Sequence, residues 1–367
     1  MSIIHEFEKA SLVQGVLKNI RSIDTGPVRL MEFCGSHTAA ILKSGLRQLL
    51  PSDVKLLSGP GCPVCVTHQD DIDRMIALAA IPGVTLCTFG DMLKVPGSRG
   101  SLAEASADGA DIRTVYSTLD ALEIARQNPD RRVVLLGVGF ETTAPTIAAS
   151  IVQARDEGLA NYRVFSLAKV CPPVVRALLA SGEVDIDGII CPGHVSAVIG
   201  SKPFEFIPGE YAIACAVAGF EPVDILLAIE MILVQIKNHK PAVDIAYSRF
   251  VTREGNSHAR KLMAEVFETV PAMWRGFGEV PASGLVVAPG FAEFDAMQDP
   301  AVAGLAIEPC SPDPGCRCGD ILRGVMLPED CPRFGKGCSP ACPLGPCMVS
   351  AEGACASYYM YGRQNGG

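Results

Sequence analysis

The stretch VVLLGVGFETTAPTI, residues 133–147, decides the fold class. Its first six residues are an unbroken run of apolar residues and one Gly, which fits a strand buried on both faces rather than one with a wet side. The run passes through a short loop of Gly, Phe, Glu and Thr into an Ala-containing segment that reads as helix. A strand entering a helix through so short a loop is the repeating unit of a parallel sheet. Working outward, six more runs read the same way: VRLMEF (28–33), VKLL (54–57), VTLCTF (84–89), YRVFSL (162–167), DGIIC (187–191) and YAIACA (211–216). Helical stretches of about 10 to 15 residues separate them. The architecture predicted is α/β.

Three features of the first half recur in order in the second. VRLMEFCGSHTAAI resembles VVLLGVGFETTAPTI, VKLLSGPGCPVC resembles IDGIICPGHVSA, and VTLCTFGDMLKVPG resembles YAIACAVAGFEPVD. In each a strand runs into a loop of Gly, Pro, Cys, His or Thr, and parallel sheets place ligands beyond the carboxyl ends of their strands. The expectation is two similar parallel-sheet domains, residues 23–129 and 130–240, facing each other across a cleft. A helix over residues 7–22 precedes them, carried by Leu12, Val16 and Leu17 at helical spacing. The helix at 223–240 closes the second domain with Lys and His at its C-terminal end, where they suit the helix dipole. The Gly, Ser and Ala of residues 93–112 predict a loop on the cleft side. Residues 241–367, with a helix at 256–269 and strands such as SGLVVA (283–288), form the remaining domain.

At 367 residues the chain has room for two or three domains, each with its own core. A net charge of −9 leaves no electrostatic footprint for nucleic acid or an anionic membrane. The start of the chain has acidic residues where a secretory signal would be basic, and the longest apolar run, residues 225–236, is interrupted by Glu230 and too short to span a bilayer. The expected location is the cytoplasm. There, dense cysteines point to metal or redox chemistry more than to a permanent disulfide frame.

Cysteine is dense at one place. CRCGDILRGVMLPEDCPRFGKGCSPACPLGPCMVSAEGAC, residues 316–355, holds with Cys310 eight of the fifteen cysteines. Disulfides, zinc and an iron–sulfur cluster are the candidates. Structural zinc usually shows two tight CxxC-like pairs, whereas this segment has one CxC, Cys316 and Cys318, and irregular gaps rich in Gly and Pro. Such gaps suit thiolates wrapped around a larger object such as a [4Fe–4S] cube, which takes four of them and leaves a surplus nearby.

Elsewhere GPGCPVC presents Cys62 and Cys65 as a CxxC between strand and helix, suited to thiol–disulfide exchange or metal ligation, unless they are simply half-buried loop residues. EFCGSHT puts Cys34 at a strand end with His37 three residues on, and thiolate and imidazole could meet one transition metal there. The bland alternative is a buried thiol beside a solvated histidine. Glu141, Thr142 and Thr143 in GFETTAP can cap a helix or bind a polar ligand, and His194 beside Cys191 falls at the predicted cleft. Cys87, Cys171 and Cys215 read as small core residues, while Cys310 and Cys342 have no assigned role. No Walker A loop, dinucleotide fingerprint, HExxH helix or serine elbow occurs.

Taken in order, EFCGSHT, GPGCPVCV, TFGDMLKVPGS, GFETTAP, CPGHVS and GPCMVSAEGAC resemble the HypD family of [NiFe]-hydrogenase maturation factors over almost the whole chain. The resemblance implies a C-terminal [4Fe–4S] domain with Cys316, Cys331, Cys338 and Cys355 as ligands, and Cys318 with Cys347 as a redox-active dithiol beside it. It further implies that the chain joins the small chaperone HypC to carry an Fe(CN)2CO unit, with Cys34 on the iron, His37 its neighbour, Cys62 and Cys65 a thiol pair at the same place, and HypE as cyanide donor. That is a redox-active assembly scaffold rather than a conventional turnover enzyme, expected to be a monomer that forms heterocomplexes. The rival readings are a free-standing cluster-dithiol oxidoreductase acting on protein disulfides and a zinc-stabilised binding module.

Overall fold

The computed structural model describes residues 10–305 and 315–362. The N-terminal helix is seen as Ala10–Ser22; its first expected residues, 7–9, and Cys310 lie outside the described residues. Two all-parallel sheets follow. The first contains β1 (Val28–Glu32), β2 (Val54–Ser58), β7 (Gly188–Pro192), β8 (Ala214–Ala218) and β9 (Val243–Ile245) in the order β2-β1-β7-β8-β9. The second contains β3 (Val84–Thr88), β4 (Ile112–Thr114), β5 (Arg132–Gly139) and β6 (Tyr162–Ala168) in the order β4-β3-β5-β6. Strands β3, β7 and β8 are buried along their whole length, as continuous apolar runs require when both faces are covered.

The α/β class holds, but the expected boundary near residue 129 does not separate the sheets. Residues 84–168, which build the second sheet, lie in the chain between β2 and β7 of the first. Both sheets share one plan, in which the second strand flanks the first on one side and the third and fourth follow on the other. The internal similarity is therefore interleaved rather than tandem. A strand's apolar run says that it is buried but not which neighbour it pairs with, so matching motifs in chain order cannot reveal the interruption.

Smaller differences have local causes. β8 starts at Ala214, because Phe206–Tyr211 is helical and Ala212 turns the chain through the left-handed region at φ 54°. The edge strands β4 and β9 are three residues long and partly exposed, too short for an apolar pattern. Phe267, Glu268 and Thr269, expected in a helix, open the antiparallel hairpin β10 (Phe267–Trp274) and β11 (Gly278–Val287).

The expected open cleft is largely filled. One core runs without a break from Met31, Phe33 and Leu57 of the first sheet to Val134, Leu136 and Phe165 of the second, and on to Ile321, Leu322 and Met348 of the cysteine segment. The outer face of the first sheet packs on the helices Ala10–Ser22 and Pro222–Lys237. The hairpin covers the second sheet, where the Ser166 hydroxyl donates to the Leu285 carbonyl at 2.6 Å and the Val170 N–H to Ser283 at 2.9 Å. Its far end reaches the first sheet's loops, since the Arg275 N–H donates to the Val66 carbonyl at 2.9 Å. Among the described residues no helix is long and apolar enough to cross a membrane.

Candidate functional site

The site grows from the carboxyl end of β1. Glu32, the last residue of that strand, is 2% exposed; its carboxylate accepts the Cys34 N–H at 2.8 Å and the Thr38 hydroxyl. These bonds turn the chain from strand into the helix Gly35–Lys43 and fix Cys34 at the helix start. Burial pushes Glu32 up to about 7, against the hydrogen bonds from Thr38 and Cys34. Cys34 is 7% exposed, and burial, then Glu352 and Glu32, push its thiol up to about 12. A thiol so placed stays protonated until a cation or metal compensates its charge.

His37 sits one turn into the same helix, fully buried. Its Nε2–H donates to the Gly219 carbonyl at 2.9 Å, which leaves Nδ1 as the bare nitrogen, and Nδ1 has no hydrogen-bond partner among the described residues. Burial pulls the imidazole down to about 4, so it is neutral. Phe220, in the loop after β8, stacks on His37 at 4.8 Å and on His194 at 3.6 Å. His194 is thus held over the site while remaining solvent-exposed, and partial burial lowers its pKa.

The loop after β2 adds Cys62 and Cys65, joined as a disulfide with Cα atoms 5.2 Å apart at the start of the short helix Pro63–Val66. Both are buried, and Cys65 Sγ lies 3.9 Å from the Pro346 carbonyl oxygen, directly before Cys347. That contact joins the CxxC to the C-terminal thiols.

From the second sheet comes Glu141, just beyond β5 and 1% exposed. Its Oε1 accepts the Cys171 N–H at 2.9 Å, and its Oε2 has no partner among the described residues. Burial raises its carboxyl to about 7. Thr142 points to solvent and joins neither group.

The C-terminal segment closes the assembly. Cys316, Cys318, Cys331, Cys338 and Cys355 line one pocket, together with Gly345 and Met348. Fully buried Cys347 exchanges hydrogen bonds with Cys318 and Cys355, and bonds from Cys318 and then Cys347 hold the Cys355 thiol down at about 6. Cys342, with no expected role, is exposed and outside this group. Among the described residues no three His, Cys, Asp or Glu side chains close on a point as ligands of a single ion. Five thiols around one small pocket are the donor chemistry that either an iron–sulfur cluster or a zinc ion takes. The backbone respects that volume, because a side chain at Gly345 would place its Cβ 2.5 Å from Cys316 Sγ and 3.1 Å from Cys318 Sγ.

Sequence reading missed three parts. Glu32 is the lone carboxylate in an apolar strand, a signal that could have been read. Glu352 accepts the Ser36 hydroxyl at 2.6 Å, and Ser350 donates to Asp91 at 2.9 Å, so residues 350–353 strap the cysteine segment over Cys34. Gly35 is needed beneath the strap, since a Cβ there would lie 2.2 Å from the Glu352 carbonyl oxygen. Phe220, the spacer between two histidines, has no marker in its own sequence.

Comparison with known proteins gives the family. The profile described as "HypD: Hydrogenase formation hypA family" matches residues 11–362. The chain is 44% identical to hydrogenase maturation factor HypD2 of Bradyrhizobium diazoefficiens, over 99% of this chain and 97% of that protein. It is 46% identical to HypD of Rhizobium leguminosarum bv. viciae, over 99% and 96%, and 43% identical to HypD of Escherichia coli, over 92% and 90%.

Proposed function

The chain belongs to the HypD family of hydrogenase maturation factors, and on that premise we propose that it holds a ferrous ion at Cys34 while cyanide and carbon monoxide are attached. The iron is cargo, carried jointly with a HypC-type chaperone and supplied with cyanide by a HypE-type donor, in the cytoplasm. His37 borders the cargo with its bare Nδ1, and His194 and Phe220 wall it off. Cys316, Cys331, Cys338 and Cys355 would hold a [4Fe–4S] cluster, which when bound supplies electrons singly.

The single observation carrying this reading is the contact of Cys65 with the carbonyl before Cys347, which puts the disulfide and the C-terminal thiols in one interior. Cys318 and Cys347 touch each other through their hydrogen-bonded sulfurs, the arrangement a dithiol needs to become a disulfide. Passing two electrons and two protons from that pair to Cys62–Cys65 by thiol–disulfide exchange would leave a reduced CxxC beside Cys34 and oxidised Cys318–Cys347, ready for re-reduction. Burial disfavours the rival in which the chain reduces other proteins' disulfides, because Cys65 and Cys347 are 0% exposed and a bulky disulfide has no approach to them.

The test is infrared spectroscopy of the anaerobically purified complex with its chaperone. Cys34→Ala should abolish the iron-bound C≡N bands and leave the brown cluster absorption. Unchanged bands would remove Cys34 from the iron.

A further inference from the structure

We propose that the Glu141 carboxyl is a ligand-positioning group for this cargo, donating a hydrogen bond from Oε2 to the nitrogen of an iron-bound cyanide. The proposal rests on the reading that iron is carried at Cys34.

Three observations carry it. Glu141 lies beyond the carboxyl end of β5, the region against which the loop holding Cys62 and Cys65 packs. Its two oxygens are unequal: Oε1 is committed to the Cys171 N–H, the carboxyl also draws on its own backbone N–H, and Oε2 is buried with no hydrogen-bond partner among the described residues. A buried polar atom left unpaired is costly, and a bound molecule can recover that cost. Cys171, whose N–H binds Glu141, lies in the same core as Cys62 and Cys65, and its thiol feels both the Glu141 carboxyl and the Cys34 thiol.

The chemistry selects the ligand. No cationic side chain figures among the influences on Glu141, and burial favours its neutral form, whose remaining proton sits on the oxygen that is not accepting an N–H. Cyanide bound to iron through carbon leaves an anionic nitrogen as a strong acceptor; the oxygen of bound carbon monoxide is a poor one. A donor at this point therefore distinguishes the two diatomics and fixes which coordination position a cyanide takes. His37 Nδ1, a bare acceptor, cannot perform that task.

The experiment compares three variants in the iron-loaded complex with its chaperone, read by infrared spectroscopy. Glu141→Gln keeps an acceptor for Cys171 and puts an N–H where the O–H was, so its C≡N bands should stay near the wild-type positions. Glu141→Met fills nearly the same space without a donor. Its C≡N bands should be displaced, or lost from a chain that keeps its cluster absorption and melting midpoint. Met-variant bands at wild-type position and intensity would overturn the proposal. Should the Met variant not fold, Glu141→Asp decides instead: it withdraws the same carboxyl by one methylene, and its bands should move as well, identity with wild type again being fatal. A wild-type complex with no C≡N bands would refute iron carriage itself, a separate result.

Discussion

Glu141 is a carboxyl that water does not reach, and the cost of its charge can be measured. Its pKa is about 7 in the folded chain against an ordinary 4.5. A raised acid stabilises the fold fully below pH 4.5, and that contribution is lost as the pH climbs through 7. The wild type should therefore lose stability between pH 5 and pH 8, and Glu141→Gln should lose less, with a difference of roughly 3 kcal/mol at most by urea titration at the two pH values. Equal slopes in both proteins would mean that the carboxyl is not buried as described. Glu32 responds in the same direction but is present in both proteins and cancels, while His37, pulled down to about 4, acts only on the acid side. At this scale much of the site was legible in sequence, because Cys34, His37, Cys62 and Cys65 announce their chemistry by type and spacing. What was hidden is the state of each group. Sequence does not say that the Cys34 thiol is buried between two carboxylates, since Glu32 is two residues away but Glu352 is brought in by the fold.

The helix Pro222–Lys237 shows how an element positions the site without touching its chemistry. Asp224, at its third position, is fully buried and meets Arg249 through two bonds of 2.6 Å. It also accepts the Glu221 N–H at 3.4 Å, fixing the helix start. Arg249 in turn lies 4.5 Å over the ring of Tyr247, which meets Phe220 edge-on, and Phe220 separates the two histidines. Asp224→Ala takes two charged hydrogen bonds from a partly exposed guanidinium and should cost about 2 kcal/mol of unfolding free energy. Because the chain of contacts ends at His37, the same variant should also weaken iron retention in the complex, assayed as iron per chain after gel filtration. A variant with wild-type stability and iron content would show the ion pair to be ornamental. The elements themselves were readable from apolar runs, apart from the three-residue edge strands. Their pairing was not, since a parallel sheet accepts any buried strand that a long connection can return to it.

For the molecule as a whole, the feature that matters is that its two sheets and its cysteine segment share one core, which holds Phe33, the Cys62–Cys65 disulfide and Cys347, with Cys34 buried next to Phe33. On the proposed function, cargo iron would have to enter such an interior, and the part in its way is the strap at residues 350–353, held by Ser36 to Glu352 and by Ser350 to Asp91. The strap is anchored between Cys347 and Cys355, so the sulfur pocket and the cover over Cys34 are mechanically one piece. A Cβ on Gly35 would press on the Glu352 carbonyl oxygen from 2.2 Å, and backbone cannot yield there without displacing the strap. Gly35→Ala should therefore raise the rate at which iodoacetamide alkylates Cys34 about tenfold or more, the equivalent of removing roughly 1.4 kcal/mol from the cost of opening. Peptide mapping by mass spectrometry gives that rate, with exposed Cys342 as the internal standard that should not change. Glu352→Ala should act in the same direction on two counts, since it cuts the bond to Ser36 and removes a negative charge that holds the Cys34 proton on. Equal Cys34 labelling in wild type and both variants would mean that the strap is not the barrier, and that iron enters from the side where His194 meets solvent.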